Sequence, residues 1–472
     1  MSTTPDLRLG SYAPADADPT GLRPRPPGKR NVELDVWRSI AALLVVVYHT
    51  WQTMRIPVTG HENAVWRITL HYIETMVDVF FVISAVVLVP PFIRKVVDRE
   101  PHQRPRAFLQ RRFFRLVPLY WLICLVVWSY RNYSFTGGQW LDLLEHLFFL
   151  QQFDSKRIFY TIGPAWSLAV EVVFYLAIPV WIGLTARATR KMISRRARVA
   201  MLYIGPVLAI VASGIYKYAG RAAGVPTTRY AWWFSSPAKF DVLGFGCIVA
   251  VWLGSRPKDK KVGPAGTIAL RLIGIGILAT LPWVVVNQWI WFHTVAGLGF
   301  SFLVAASLGG TKLVTNRVAP ALCRRVGSWG VWVSGITFSL YLSHEAVVVA
   351  FHNDGVTPTT PSHLIPNILI NVVVAIVVAL LVWALVEQPT YRLRWLPEMH
   401  QHAPAGTGRP EGRPAKKAEQ PAAVSEIRPR PTTRVAAKAP PPAVPKVPIS
   451  VTSWGRDDRD LDGQARSPQP VG

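Results

Sequence analysis

Two ionisable side chains, Arg38 and His49, interrupt an otherwise aliphatic stretch, ELDVWRSIAALLVVVYHTW at 33–51. Eleven residues make about three turns of α-helix, so both side chains point the same way, roughly 16 Å apart along the axis. An ionisable group inside a spanning helix is costly and faces a protein interior or a wet cavity, where it marks function. Imidazole is the side chain that moves protons near neutral pH. The bland alternative has Arg38 snorkelling to the headgroups and His49 making one structural hydrogen bond.

Other apolar segments favour the chemical reading. Measured from the expected cytoplasmic end of each helix at 1.5 Å per residue, His49, Asp78, Glu171, Lys239, Asp241 and His344 all fall roughly 20–22 Å in. Structural polar residues have no reason to agree in depth, whereas the lining of a shared cavity does. The faces agree too. His71, Glu74 and Asp78 form one stripe, Ser167, Glu171 and Tyr175 another, and Tyr341 adjoins His344. Helix–helix glue uses Ser, Thr, Asn and small residues; His, Asp, Glu and Lys fit chemistry or ion passage better. A basic segment complements this layer. Arg112 and Arg115, in FLQRRFFRLVPLYW, share a face at i, i+3. Positive-inside anchoring accounts for much of it, but guanidinium forks at a helix start also suit phosphate.

These residues must be positioned by membrane helices. The chain has 472 residues, half of them hydrophobic, with 19 Trp and a formal charge of +25. Its apolar runs are too long for a soluble basic protein, so the charge is not read as a nucleic-acid footprint. About 20 apolar residues make a span, and the candidates are roughly 35–54, 67–93, 115–132, 164–185, 199–218, 236–254, 268–290, 293–310, 331–351 and 365–388. The expected fold is an all-α integral membrane protein of about ten transmembrane helices. Basic residues cluster before the first run, at 94–115, at Arg187–Arg198, at Arg256–Lys261 and at Lys312–Arg325. All fall on one side if both termini are cytoplasmic. The stretch WLDLLEHLFFLQQF (140–153) is too short to span and reads as interfacial or re-entrant. Residues 1–30 are Pro- and Arg-rich, without the apolar run of a signal peptide. Residues 397–472 are Pro- and Ala-rich and read as a disordered cytoplasmic tail, leaving 31–396 as the membrane domain. The three cysteines, Cys124, Cys247 and Cys323, have no metal-site or disulfide spacing.

Several motifs together carry a resemblance. LDVWRSIAALLVVVYH resembles the opening of the acyltransferase 3 family of multi-pass membrane acyltransferases, whose signature is Arg or Lys, ten residues, then His. VDVFFVISAVVL (77–88), RRFFRLVPLYW (111–121), WSLAVEVVFYLAIP (166–179), KFDVLGFG (239–246), VSGITFSLYLSH (333–344) and VEQPTYR (386–392) resemble the family's later motifs, in its order. The resemblance covers about residues 31–396. Departures are Val36 and Trp37 in place of Gly-Leu, Ala85 in place of Gly, and Glu345 in place of an aromatic residue.

The resemblance implies transfer of an acyl group, commonly acetyl from acetyl-CoA as co-substrate, to a hydroxyl of a cell-surface glycan, a glycolipid or a small glycoside at the cell membrane, with no tightly bound cofactor and no metal. A hydroxyl attacking a thioester needs a base, and His49 is the candidate. Asp78 or Glu171 would orient its ring, and His344 would hold the acceptor or the oxyanion. Arg112 and Arg115 would bind the CoA phosphates, with Arg38 along the pantetheine route. Glu74, Trp166, Tyr175, Lys239, Asp241 and Tyr341 would line the acceptor site. A covalent acyl-His intermediate stays open. The rival from another class is a glycolipid transporter or flippase, which would also need a charged midplane cavity. Internal repeats would favour it, and the chain has none that is visible.

Overall fold

The computed structural model describes residues 31–54, 69, 72–99, 104–132, 139–257, 260–310 and 320–393, all within one compact unit, Met1–Gln401. The segments 1–30 and 397–472 and residue His71 lie outside the described residues. The described residues form helices and no strand; one isolated bridge joins Val262 to Gly310.

In chain order the helices are α1 (Val32–Met54), α2 (Met76–Leu88), α3 (Pro90–Val97), α4 (Pro105–Arg131), α5 (Trp140–Leu147), α6 (Ala165–Ala188), α7 (Arg195–Ala222), α8 (Tyr230–Trp233), α9 (Ser236–Gly254), α10 (Pro264–Ala279), α11 (Leu281–Asn287), α12 (Phe292–Gly309), α13 (Pro320–Ser334), α14 (Thr337–Asn353), α15 (Leu364–Val382) and α16 (Gln388–Leu393). By length and composition seven helical segments can cross a membrane, or up to nine if each of two bent pairs is one span. The first expected span, α1, is 23 residues long but carries Glu33, Asp35, Arg38 and His49, and stands outside that count.

Two expected spans are broken rather than straight. The run 67–93 bends by 40° between α2 and α3, where Pro90 and Pro91 withhold backbone donors. The run 331–351 bends by 70° between Arg325–Ser334 and α14, at Gly335 and Ile336. A π-helical turn, Trp383–Glu387, ends α15 and buries the Glu387 carboxylate, which accepts from Ser339 Oγ at 2.5 Å.

Apolar side chains line the outside as well as the core. On α15 Ile365, Leu369, Val373, Val377 and Leu381 are exposed at four-residue spacing, and on α7 Leu208, Val211 and Ile215 are. So large an exposed apolar surface fits lipid better than water. On α5 and just after it, Trp140, Leu141, Leu144, Phe148 and Phe153 are exposed, the one-sided pattern of an interfacial helix. The loop after it is pinned by Arg157, whose guanidinium reaches Glu145 at 2.6 Å and Asp154 at 3.0 Å.

The helices pack in two groups. α9 touches α7, α2 and α12, and α10 lies along α12; α1 gathers α13, α14 and α15. The contact of α1 with α2 joins them. Close approach is made possible by glycine: a Cβ at Gly246 of α9 would sit 2.7 Å from Ala85 Cβ and 3.0 Å from the Val82 carbonyl oxygen on α2.

Candidate active site

The His49 ring on α1 lies 5.1 Å, centroid to centroid, from the His344 ring on α14. His49 Nδ1 meets Gln52 Oε1 at 3.0 Å, one turn further along the same helix. With Nδ1 donating there, Nε2 carries the lone pair. His344 is fully buried, and its Nδ1 donates to the Leu340 carbonyl at 3.0 Å, one turn back. Its Nε2 is buried and has no hydrogen-bond partner among the described residues. A buried acceptor left unmatched is costly, so this nitrogen is open to a partner from outside the described residues. Tyr341 flanks the pair, its ring 6.0 Å from that of His344. Its hydroxyl hydrogen-bonds Ser167 Oγ at 2.7 Å and donates to the Pro164 carbonyl at 3.1 Å, which ties α14 to the first turn of α6.

A second group gathers around α2, α9 and α12. Asp78 is fully buried, and its Oδ2 accepts from His293 Nδ1 at 2.9 Å. Glu74 Oε1, one turn before Asp78, stands 4.0 Å from His293 Nε2. Phe234 packs its ring 6.0 Å from His293 and 4.9 Å from Trp166. The Lys239 ammonium, 2% exposed, lies 4.7 Å from the Phe234 centroid and 5.4 Å from that of Trp166. Such ring faces hold a buried cation. Trp166 and Ser167 are consecutive at the start of α6, so this turn links the two groups.

A third group faces the start of α4. Glu171 accepts from Ser84 Oγ and, at 2.9 Å, from the Tyr175 hydroxyl. The Arg112 guanidinium lies 5.8 Å from the Tyr175 centroid and 5.7 Å from that of Phe108. Arg115 is exposed one turn on, and Arg38 is half-buried on α1.

Three expectations change. Neither Asp78 nor Glu171 orients His49: Asp78 is taken by His293, Glu171 by Ser84 and Tyr175, and an amide, Gln52, holds His49. Lys239 and Asp241, both expected to line the acceptor site, point apart, because two residues turn a helix by about 200°. Asp241 instead pairs with Lys217 at 2.5 Å and accepts from Thr294 Oγ1, all three at the meeting of α7, α9 and α12. Arg112 and Arg115 share a side of α4 but differ in exposure. His293, Lys217, Ser84 and Gln52 were missed by the sequence reading. His293 and Thr294 stood at the edge of an apolar run just after Trp289 and Trp291, which was the available signal. Glu345, noted as a departure, accepts from the Gly163 backbone at 2.5 Å. A Cβ at Gly163 would overlap that carboxylate.

A family profile described as an acyltransferase domain, the third of its name, matches residues 31–387. The O-acetyltransferase OatA of Staphylococcus aureus (strain NCTC 8325 / PS 47) is 22% identical over 341 residues, covering 67% of this chain and 50% of its own. A protein of Staphylococcus aureus (strain COL), provisionally named an O-acetyltransferase, is 24% identical over 355 residues, covering 69% of this chain and 52% of its own. The chain thus spans about half the length of the curated relatives it matches. No solved structure matches it.

Proposed function

The chain belongs to the acyltransferase 3 family, and from that premise we propose that it is a multi-pass membrane O-acyltransferase. It transfers an acyl group, acetyl by analogy with its relatives' names, from acyl-CoA to a hydroxyl of a cell-envelope glycan or glycolipid. The observation that carries this reading is the His49–His344 pair: two imidazoles in contact at 5.1 Å, each with Nδ1 committed to a neighbour one turn away. Both Nε2 atoms are left for a reacting group. His49 Nε2 acts on the acyl transfer as base or nucleophile, and the His344 Nε2 lone pair holds the acceptor by accepting from its hydroxyl.

The loop charges support both termini on the cytoplasmic side of the cell membrane, with about ten spans between them. On that orientation Arg112 and Arg115 lie at the cytoplasmic mouth and take the CoA phosphates, Arg38 lies between them and His49, and the thioester points up into the bundle. The acceptor comes from the opposite side, toward Glu74, Trp166 and Tyr341, so the whole donor need not cross.

The test supplies labelled acetyl-CoA to membranes containing the full chain and follows label into envelope glycans and lipids. The wild-type chain transfers label. His49→Ala, accumulating equally, loses about 10²- to 10⁴-fold or more. Turnover like that of the wild type in His49→Ala removes His49 from the mechanism. Absence of transfer by the wild-type chain, with solute uptake in its place, favours a transporter.

A further inference from the structure

The site contains a carboxylate-held imidazole that the His49–His344 pair does not account for. His293 sits in the first turn of α12, its Nδ1 donating to Asp78 Oδ2 at 2.9 Å, so its Nε2 carries the lone pair. The Asp78 carboxylate is fully buried, and its other oxygen, Oδ1, has no hydrogen-bond partner among the described residues. Such a carboxylate is stabilised when the imidazole beside it gains a proton. Glu74, 4.0 Å from Nε2, adds a second negative charge on the opposite side of the ring. His49 differs. Its partners are an amide and another imidazole, and among the described residues no carboxylate lies within ion-pair distance of it. A proton held on His49 would be an unmatched charge; one held on His293 faces the carboxylates of Asp78 and Glu74. The His293 side chain is 13% exposed.

We propose that His293, oriented by Asp78, is the base that removes the proton from the acceptor hydroxyl, while the acyl carbon is presented at His49. This rests on the acyl-transfer reading above. In the step, the hydroxyl proton passes to His293 Nε2 and the hydroxyl oxygen's electron pair forms the new C–O bond. The C–S bond breaks, and the sulfur of CoA leaves with its electron pair as the thiolate. The thiolate takes a proton from water, and His293 returns its own proton to bulk solvent. Acyl-CoA and alcohol become ester and thiol. His293 is then a catalytic residue and Asp78 a positioning residue.

The experiment uses the full chain in membranes with labelled acetyl-CoA, with added imidazole as a probe. His293→Ala lowers kcat by about 10²- to 10⁴-fold with KM for acetyl-CoA held within about twofold. Added imidazole raises the His293→Ala rate by about tenfold or more, which also shows that the variant is folded. Asp78→Asn loses rate and is not restored by imidazole, because its own ring is still in place. A His293→Ala rate near that of the wild type, or a loss that imidazole does not relieve, overturns the proposal. A wild-type chain that transfers no label overturns the acyl-transfer reading first, and the dyad with it.

Discussion

Arg112 combines a charge with an aromatic seat, formed by Phe108 and Tyr175, whose rings meet edge to face 6.4 Å apart. Through the Tyr175 hydroxyl that seat also touches Glu171. A donor phosphate docking on Arg112 would therefore be felt at Glu171 without direct contact. Arg112→Ala is expected to raise KM for acyl-CoA about tenfold, roughly 1.4 kcal/mol, and to leave the acceptor KM unchanged. A donor lacking the nucleotide should show no such penalty in the variant. Steady-state kinetics with both donors checks this, and equal losses for the two donors exclude a phosphate contact. The residue types here were legible in the sequence, because charges in apolar runs cannot be idle. Their partners were not. Asp78 and His293 are 215 positions apart and Lys217 and Asp241 lie on different helices. Periodicity gives the face a residue occupies on its own helix and leaves open which helix it meets.

At the scale of elements, α12 positions the proposed base. Its first turn is held on one side by His293 donating to Asp78 of α2 and on the other by Thr294 donating to Asp241 of α9, with Lys217 of α7 closing the contact by donating to Thr294 at 2.8 Å. Replacing Lys217 with Met leaves Asp241 buried without its cation, and losing one partner of a buried pair costs about 3–5 kcal/mol. Thermal unfolding in detergent should show a lower Tm for Lys217→Met, and adding Asp241→Asn should recover much of it. No loss in the single variant would mean that the pair is dispensable. The α2–α9 contact makes a similar prediction. Gly246→Val drives side-chain atoms into Ala85 and the Val82 backbone, which typically costs about 1–3 kcal/mol. Because α2 carries Asp78, transfer should fall along with stability, whereas a Val at Gly276, where a Cβ meets nothing within 4 Å, should be neutral in both assays. The spans themselves were readable from apolar length. The 70° bend after Ser334 was not, since Gly335 alone does not specify an angle.

For the whole molecule, a basic mouth at Arg112 and Arg115 leads to His49 and the buried His344 and then to an acidic approach at Glu74. A transfer that proceeds this way has a donor end and an acceptor end on opposite sides of the membrane. The most direct test is accessibility of single cysteines in a background where Cys124, Cys247 and Cys323 are replaced. Arg112→Cys should react with a membrane-impermeant thiol reagent from the cytoplasmic side only, and acyl-CoA should protect it. Glu74→Cys should react from outside and be indifferent to acyl-CoA. Labelling of position 112 from outside would contradict the account, and a position 74 closed from outside would place the acceptor, like the donor, in the cytosol.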